Sequence, residues 1–225
     1  VTITKDGIQS DTSLCQKNTA RCIFEYIYFA RPDSRIDGMG VYESRVNAGR
    51  ILAKTHPVEA DLVVGVPESG NPAALGYSME SGIPYGNAFI KNNYVGRTFI
   101  KPKQEQRESS VKVKLNVLKE EVAGKRVVMI DDSIVRGTTS RRIVNLLRQA
   151  GAKEVHVRIS SPAFLHPCYF GTDIPSEDQL VASGRTVDEI CKYIEADSLG
   201  YLETDKLSEM ICNQTAVSYT HLRAH

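Results

Sequence analysis

The chain lacks the features that mark several broad classes of protein. Its formal net charge at pH 7 is +1, so no excess of positive charge points to nucleic acid as a partner. No stretch approaches the roughly 20 apolar residues that a membrane-spanning helix requires. The five cysteines include no Cys-x-x-Cys pair and form no disulfide framework, which favours free or metal-bound thiols in a reducing compartment such as the cytoplasm. His56, His156 and His166 are not paired at ligand spacing, so we interpret them as structural or solvated.

The stretch with most chemical character is Val127–Thr139. Val127–Ile130 is a short apolar run, typical of a strand buried on both faces of a parallel sheet, and Asp131 and Asp132 follow where that strand would end. Apolar residues then recur at helical spacing from Ile143 to Ala150, before the capping glycine Gly151. The sequence therefore predicts a strand, an acidic pair, a loop of small and hydroxyl residues, and the start of a helix.

This order of elements predicts a phosphate site beside an acidic site. Ligands of open α/β sheets bind at the carboxyl ends of strands, and the free N–H groups at a helix N-terminus bind anions. The two carboxylates repel phosphate, so Asp131 and Asp132 suit sugar hydroxyls, a divalent metal or developing positive charge. The alternative from the residues alone is that the two aspartates only cap a helix and Arg136 is solvated.

A second strand–turn–helix unit precedes the first. Asp61–Val66 is predicted to be a buried strand, and Pro67–Asn71 a turn. Asn71 followed by proline predicts the start of a helix, which ends at Gly82. The alternative interpretation is a plain connection between a strand and a helix.

Lys91–Leu115 is rich in cations and poor in residues suited to a core. A loop this long within a compact domain is usually functional or disordered. One interpretation is a solvated basic linker, and the other is a mobile lid that brings positive charge over a polyphosphate. Arg97, Lys101 and Lys114 would be its charged contacts.

Weaker patterns predict the remaining elements. Arg21–Ala30 is dense in aromatic and β-branched residues and is predicted to be a strand. A helix is predicted over about 41–55, and alternation predicts a strand at Glu154–Ser160. Thr186–Glu189 has the capping-box pattern, and its helix would place Cys191 in the core.

Several motifs together resemble the type I phosphoribosyltransferases. Asp-Asp-Ser-Ile-Val-Arg-Gly-Thr-Thr at residues 131–139 is similar to their ribosyl-phosphate loop, in the version typical of the amidophosphoribosyltransferase family. Phe-Glu-Tyr-Ile-Tyr-Phe-Ala-Arg-Pro-Asp-Ser (24–34) and Tyr-Val-Gly-Arg-Thr-Phe-Ile (94–100) also resemble segments of that family. Asn93 departs from the usual arginine there. The resemblance covers about residues 20–211.

This resemblance implies a fold and a division of the chain. The expected fold is α/β, a mainly parallel sheet with helices on both faces and a small hood. Residues 1–20 would be the remnant of an N-terminal glutaminase domain, and residues 21–215 the phosphoribosyltransferase domain. Residues 216–225 look like a translated sequencing adaptor rather than natural sequence.

The resemblance also implies a reaction. Ammonia, taken from glutamine in the full enzyme, would attack the anomeric carbon of 5-phosphoribosyl diphosphate. The products would be 5-phosphoribosylamine and pyrophosphate, in the first committed step of purine nucleotide synthesis. Mg²⁺ would be the cofactor, purine nucleotides the feedback inhibitors, and the enzyme a cytoplasmic homo-oligomer.

The resemblance assigns roles to individual residues. The catalytic residues would be Asp131, Asp132, Lys114 and Arg97. The Mg²⁺ ligands would be Ser69, Asp131 and Asp132. The substrate would be bound by residues of the turn and loop: Glu68, Ser69, Gly70, Ser133, Arg136, Gly137, Thr138 and Thr139.

Two cysteines match ligand positions of the [4Fe–4S] cluster that some members of the family carry. These are Cys22 and Cys168, and the other two ligands would form a Cys-x-x-Cys pair beyond this sequence. Cys212 is too isolated to replace them. Relatives without a cluster can also have cysteine at the Cys22 position, so a plain buried thiol stays open there.

Two other functions are weaker alternatives. A phosphoribosyltransferase-fold sensor that controls transcription would be expected to carry a nucleic-acid-binding surface, which the net charge does not support. A nucleobase phosphoribosyltransferase finds no support in the Arg-Pro-Asp-Ser and His-Pro-Cys segments.

Overall fold

The structure is a computed structural model that describes residues 2–13, 22–91, 115–168 and 176–211. In chain order, the strands are β1 Thr2–Thr4, β2 Gly7–Gln9, β3 Arg35–Ile36, β4 Met39–Gly40, β5 Leu62–Gly65, β6 Phe89–Lys91, β7 Leu115–Val117, β8 Arg126–Asp131, β9 Glu154–Ile159 and β10 Ser198–Tyr201. The α-helices are α1 Val41–Thr55, α2 Asn71–Ser81, α3 Lys119–Val122, α4 Thr138–Gln149, α5 Val187–Tyr193 and α6 Leu207–Met210. A π-type helix spans Glu25–Phe29, and short 3₁₀ turns span Glu177–Gln179 and Thr204–Lys206.

A four-stranded parallel sheet, in the order β10-β9-β8-β5, forms the centre of the fold. One face packs against α1 and α2, and the opposite face packs against α4 and α5. Val127 and Val128 are adjacent on β8 and are both fully buried, one under each face. This confirms the predicted α/β fold with helices on both sides of a parallel sheet. Among the described residues, no helix is long and apolar enough to cross a membrane.

Helices α1 and α2 approach each other closely through glycine. A Cβ atom placed on Gly49 of α1 would lie 1.8 Å from the carbonyl oxygen of Ala73 on α2. A Cβ on Gly76 of α2 would lie 1.9 Å from the carbonyl oxygen of Val46 on α1. The two helices can therefore meet at this distance only because neither residue has a side chain.

The prediction of a strand at Arg21–Ala30 is wrong. Residues 23–29 are helical, and Glu25–Phe29 has π-type hydrogen bonding that ends where Ala30 N donates to Glu25 O at 3.0 Å. The buried residues are Ile23, Phe24, Tyr26 and Ile27. Their spacing of i, i+1, i+3 and i+4 is helical, and they pack against α1. Aromatic and β-branched composition was the misleading signal, because strand propensity depends strongly on tertiary context.

Most other predicted elements are present, with small shifts at their ends. Helix α1 has the predicted bounds, and α2 ends at Gly82, whose φ is +74°. An asparagine before a proline is typical of an N-cap, but the residue at the N-cap of α2 is Gly70, and Asn71 is the first residue of the helix. The Thr186–Glu189 capping box is present, with Glu189 N donating to Thr186 Oγ1 at 3.3 Å.

The alternation in Glu154–Ser160 indicates a strand with one buried face and one exposed face, but both faces of this strand are buried. His156 and Arg158 lie on the face toward α1 and α2 and are 7% and 4% exposed. The ring nitrogens of His156 form hydrogen bonds with Ser198 Oγ and Glu154 Oε2, and Arg158 Nε donates to His56 O at 2.9 Å. Both side chains therefore connect parts of the fold. Cys191, predicted to be core, is half-buried, and its thiol donates to Ala196 O at 3.3 Å.

Strands β6 and β7 form a separate antiparallel pair beside the sheet, consistent with the expected hood. Their register places Lys91 opposite Leu115, so the two ends of the predicted lid lie side by side. Residues 92–114, including Arg97, Lys101 and Lys114, lie outside the described residues.

Candidate active site

The acidic pair lies at the carboxyl end of β8. Asp131 is the last residue of that strand and Asp132 follows it, and each is 8% exposed. Ser133 donates a hydrogen bond to Oδ1 of Asp132, and Ser69 donates to Oδ2. Ser69 belongs to the turn after β5, which pairs with β8, so the parallel sheet brings the two predicted ligand-binding turns together.

The environment of this pair disfavours two negative charges. Burial, reinforced by the charge of Asp132, raises the pKa of Asp131 well above its ordinary value. Burial also raises the pKa of Asp132, while hydrogen bonds from Ser133 and Ser69 and the charge of Arg45 oppose that rise. Positive charge next to the pair is therefore strongly favoured, whether it comes from a metal ion or from a cationic reaction centre.

Arg45 is a residue of the site that the sequence did not reveal. It lies on α1, is 4% exposed, and its charge acts on Asp132. Its Nε donates to Tyr26 O and its Nη2 to Ala30 O, both at 2.8 Å. Arg45 therefore connects the helical segment at residues 23–29 to the acidic pair. Helical spacing places it on the inner face of α1, but a charged residue is by default assigned to the surface.

The loop between β8 and α4 has the geometry of a phosphate site. Gly137 precedes α4 with a left-handed backbone, φ +76°, and no side chain of the described residues caps the helix. The first N–H groups of α4 are therefore available to an anion, beside the exposed residues Thr138 and Thr139. Arg136, predicted to bind phosphate, instead has its guanidinium hydrogen-bonded to Gln179 Oε1.

The turn after β5 is compact. The Pro67–Glu68 peptide bond is cis, and Gly70 N donates to Val66 O at 2.9 Å. A Cβ on Gly70 would lie 2.4 Å from Ile130 O, so this glycine is required for the turn to lie against β8. Glu68 is exposed and pairs with Lys91 Nζ at 3.2 Å.

A cavity of about 590 Å³ joins these parts. The acidic pair, Ser69, Ser133 and residues 135–140 line one part of it. The other side is aromatic and is formed by Phe24, Tyr28, Phe29 and Phe164, with the rings of Phe24 and Phe164 4.7 Å apart. The cavity thus offers phosphate-binding, acidic and apolar surfaces to one ligand.

The structure brings most of the predicted site residues to this region. Around the acidic pair lie Ser69, Ser133, Gly137, Thr138 and Thr139, and Arg136 lines the same cavity. Glu68 and Gly70 belong to the adjacent turn but do not line the cavity. Among the described residues, no group of three or more His, Cys, Asp or Glu side chains could hold a metal by itself.

The two predicted cluster ligands interact electrostatically. Cys22 and Cys168 are both half-buried. Burial raises the pKa of the Cys22 thiol, and the charge of Cys168 adds to this rise. That these two thiols hold a metal cluster stays a prediction.

Comparison with known proteins agrees with this geometry. The family profile described as "Phosphoribosyl transferase domain" matches residues 45–160, a segment that contains both turns and the acidic pair. The chain belongs to the phosphoribosyltransferase family. The family fold accounts for the parallel sheet and for the loop that follows β8.

Similar phosphoribosyltransferases come from archaea and bacteria. An amidophosphoribosyltransferase of Archaeoglobus fulgidus is 55% identical over 93% of this chain and 46% of its own length. That of Bacillus subtilis is 53% identical over 91% of this chain and 43% of its own length. A solved glutamine phosphoribosylpyrophosphate amidotransferase from B. subtilis, complexed with ADP and GMP, has a TM-score of 0.82 and 52% identity, covering 93% of this chain and 46% of that one. The chain therefore spans less than half the length of these relatives.

Proposed function

We propose that this chain is the phosphoribosyltransferase part of an amidophosphoribosyltransferase. Its reaction would join ammonia to the anomeric carbon of 5-phosphoribosyl diphosphate, with pyrophosphate as the leaving group and 5-phosphoribosylamine as the product. The observation that carries the proposal is the buried acidic pair set directly beside an uncapped helix N-terminus. The 55% identity to an amidophosphoribosyltransferase over 93% of the chain supports the choice of ammonia as the acceptor.

Each part of the cavity has a physical task in this reaction. The N–H groups and hydroxyls of residues 133–139 would bind the 5-phosphate. Asp131 and Asp132 would bind the ribose hydroxyls and stabilise the positive charge that develops on the ring as pyrophosphate departs. The turn at residues 68–70 would bind the diphosphate. The aromatic wall formed by Phe24, Tyr28, Phe29 and Phe164 would exclude water, which competes with ammonia.

A magnesium ion fits this donor set. Mg²⁺ is usually held by one or two carboxylates together with substrate phosphates, rather than by a complete cage of side chains. Asp131, Asp132 and Ser69 provide such a partial set, which is consistent with the absence of a larger cluster among the described residues. Bound Mg²⁺ would neutralise the diphosphate and the acidic pair. The residues themselves would hold the ribose and the 5-phosphate in place.

Further properties of the whole enzyme belong to the same proposal. Its ammonia would come from glutamine, and purine nucleotides would bind, as ADP and GMP do in the B. subtilis relative. The enzyme would be a homo-oligomer in the cytoplasm, and Arg97 and Lys114 would act from the lid. Cys22 and Cys168 would supply two of the four thiolates of a [4Fe–4S] cluster.

The test is the double substitution Asp131→Asn, Asp132→Asn in the full-length protein. Pyrophosphate release from 5-phosphoribosyl diphosphate should be measured with ammonia at saturating Mg²⁺. We expect a loss of at least about 10²-fold, because stabilisation of transition-state charge is worth several kcal/mol. The matched control is Asp188→Asn, Asp205→Asn, which removes two exposed carboxylates outside the cavity and should retain activity.

Near-normal turnover in the double variant would contradict the assignment of the acidic pair. A wild-type protein that binds 5-phosphoribosyl diphosphate without consuming it in the presence of ammonia would favour a binding module instead.

A further inference from the structure

Arg136 lies between two cavities. The first is the candidate active site, and the second has a volume of about 400 Å³. Residues lining the second cavity include Arg136, Gln179, Arg185 and Tyr193. The guanidinium of Arg136 is directed to this second cavity, where it donates to Gln179 Oε1. A role in the first cavity alone therefore does not account for the position of its charge.

The second cavity has an excess of cationic groups. Within the described part of the chain, none of the ion pairs involves Arg136 or Arg185. Arg185 donates only to a neutral acceptor, Val181 O, at 3.1 Å, and its guanidinium carbon lies 5.8 Å from the centre of the Tyr193 ring. Asp178 is the acidic residue that lines the cavity. Two guanidinium groups and one carboxylate thus give the lining a net positive charge, although the charge of Arg185 also acts on Glu189, which does not line the cavity.

The walls of this cavity also support the phosphate loop. Val181 N donates to Val135 O at 2.8 Å. A Cβ on Gly137 would lie 2.8 Å from the Tyr193 ring and 3.3 Å from Val181, so the loop lies directly against both residues. An anion bound in the second cavity would thus contact the same residues that hold the loop.

We propose that the second cavity is an anion site for a small phosphate-bearing molecule, held between Arg136 and Arg185. Guanidinium groups bind phosphate oxygens through paired, charge-assisted hydrogen bonds. The neutral partners of both arginines, an amide oxygen and a carbonyl oxygen, are weaker acceptors than a phosphate dianion. Binding would draw Arg136 away from Gln179. The site does not depend on the proposed reaction.

The test is a titration of the ¹⁵N-labelled 225-residue chain with inorganic phosphate, at ionic strength held constant with chloride. NMR resolves the two cavities: the amides of Gln179 and Val181 report on the second, and those of Thr138 and Thr139 on the first. We expect both sets to shift, each with its own dissociation constant. In Arg185→Met the dissociation constant at the second cavity should rise at least tenfold, while that at Thr138 and Thr139 changes less than twofold.

Two further variants keep the result interpretable. Gln179→Glu adds a carboxylate that pairs with Arg136, and it should weaken phosphate at the second cavity in the same way. Arg50→Met removes one positive charge from an exposed arginine outside both cavities and should leave both constants unchanged. The proposal is overturned if Gln179 and Val181 do not respond to phosphate. It is also overturned if Arg50→Met weakens their response as much as Arg185→Met, or if Arg185→Met weakens both cavities equally.

Discussion

The close crossing of α1 and α2 gives a sharp prediction for Gly49→Ala. The new methyl group would lie 1.8 Å from Ala73 O and 2.8 Å from Tyr77 N, both of them backbone atoms that cannot rotate away. Ordinary contact requires a separation larger by roughly 1.5 Å, so the two helices must move apart and lose packing over their shared face.

Two opposing contributions determine how much Gly49→Ala changes the free energy of unfolding. Alanine is favoured over glycine inside a helix by about 1 kcal/mol. Forcing extra volume into a packed contact costs typically 1–3 kcal/mol and occasionally more, and here the obstacle is backbone, which places the cost at the upper end or above. We expect a net loss of about 2 kcal/mol or more. For a chain of this size, this lowers the melting temperature by roughly 4–8 °C.

The measurement is urea unfolding of the 225-residue chain, with Gly40→Ala as the matched control. A Cβ on Gly40 would meet only the Glu43 side chain, at 3.7 Å, which is ordinary contact. Its substitution should change the free energy of unfolding by less than about 1 kcal/mol. If Gly49→Ala is as stable as Gly40→Ala, the two helices are not in the close contact described, and the reasoning from their glycines fails.

Two further predictions concern buried polar groups. The pKa of Asp131 is raised in the folded chain, so folding takes up a proton above pH 3.8, and the free energy of unfolding falls as pH rises from there through the folded pKa. Asp131→Asn should therefore raise the free energy of unfolding at pH 7 and flatten its dependence on pH. A less stable variant would contradict the argument that burial of this charge destabilises the fold. The hydroxyl of Tyr201 is buried without a hydrogen-bond partner among the described residues, so Tyr201→Phe should be neutral or more stable by up to about 1 kcal/mol in the same urea assay, whereas a clear loss would reveal a partner for that hydroxyl.

The strands and helices around the two turns could be predicted because their signals are local. The apolar run at Val127–Ile130 indicates a buried strand, and the spacing of apolar residues in α1 indicates a helix with one buried face. Both patterns can be recognised within the segment itself. The pairing of β5 with β8, which brings Ser69 to Asp132, was not predicted from the residues; the expectation that both turns bind one ligand came from the resemblance to the family.

What could not be predicted depends on contacts between distant segments. The segment at residues 23–29 is helical because its apolar residues meet α1 and Phe164, and nothing in its composition indicates that partner. Arg45 and Arg158 are buried because carbonyl groups elsewhere in the chain accept their hydrogen bonds. The direction of Arg136 is set by Gln179, which lies 43 positions away in sequence.

The register between β5 and β8 fixes the relative position of the two turns that follow these strands. Gly65 lies opposite Ile130, so the turn that carries Ser69 and the loop that carries Asp132 leave the sheet at the same level. Parallel ladders shift only in whole residues, each about 3.3 Å, and a shift of one residue turns every side chain of the strand to the opposite face. The relative position of the two turns therefore cannot change in small steps, and a change by one residue would disrupt the packing of the core. The aromatic part of the cavity is under no such constraint, because Tyr28 and Phe29 are exposed and belong to a helical segment rather than to a strand of the sheet.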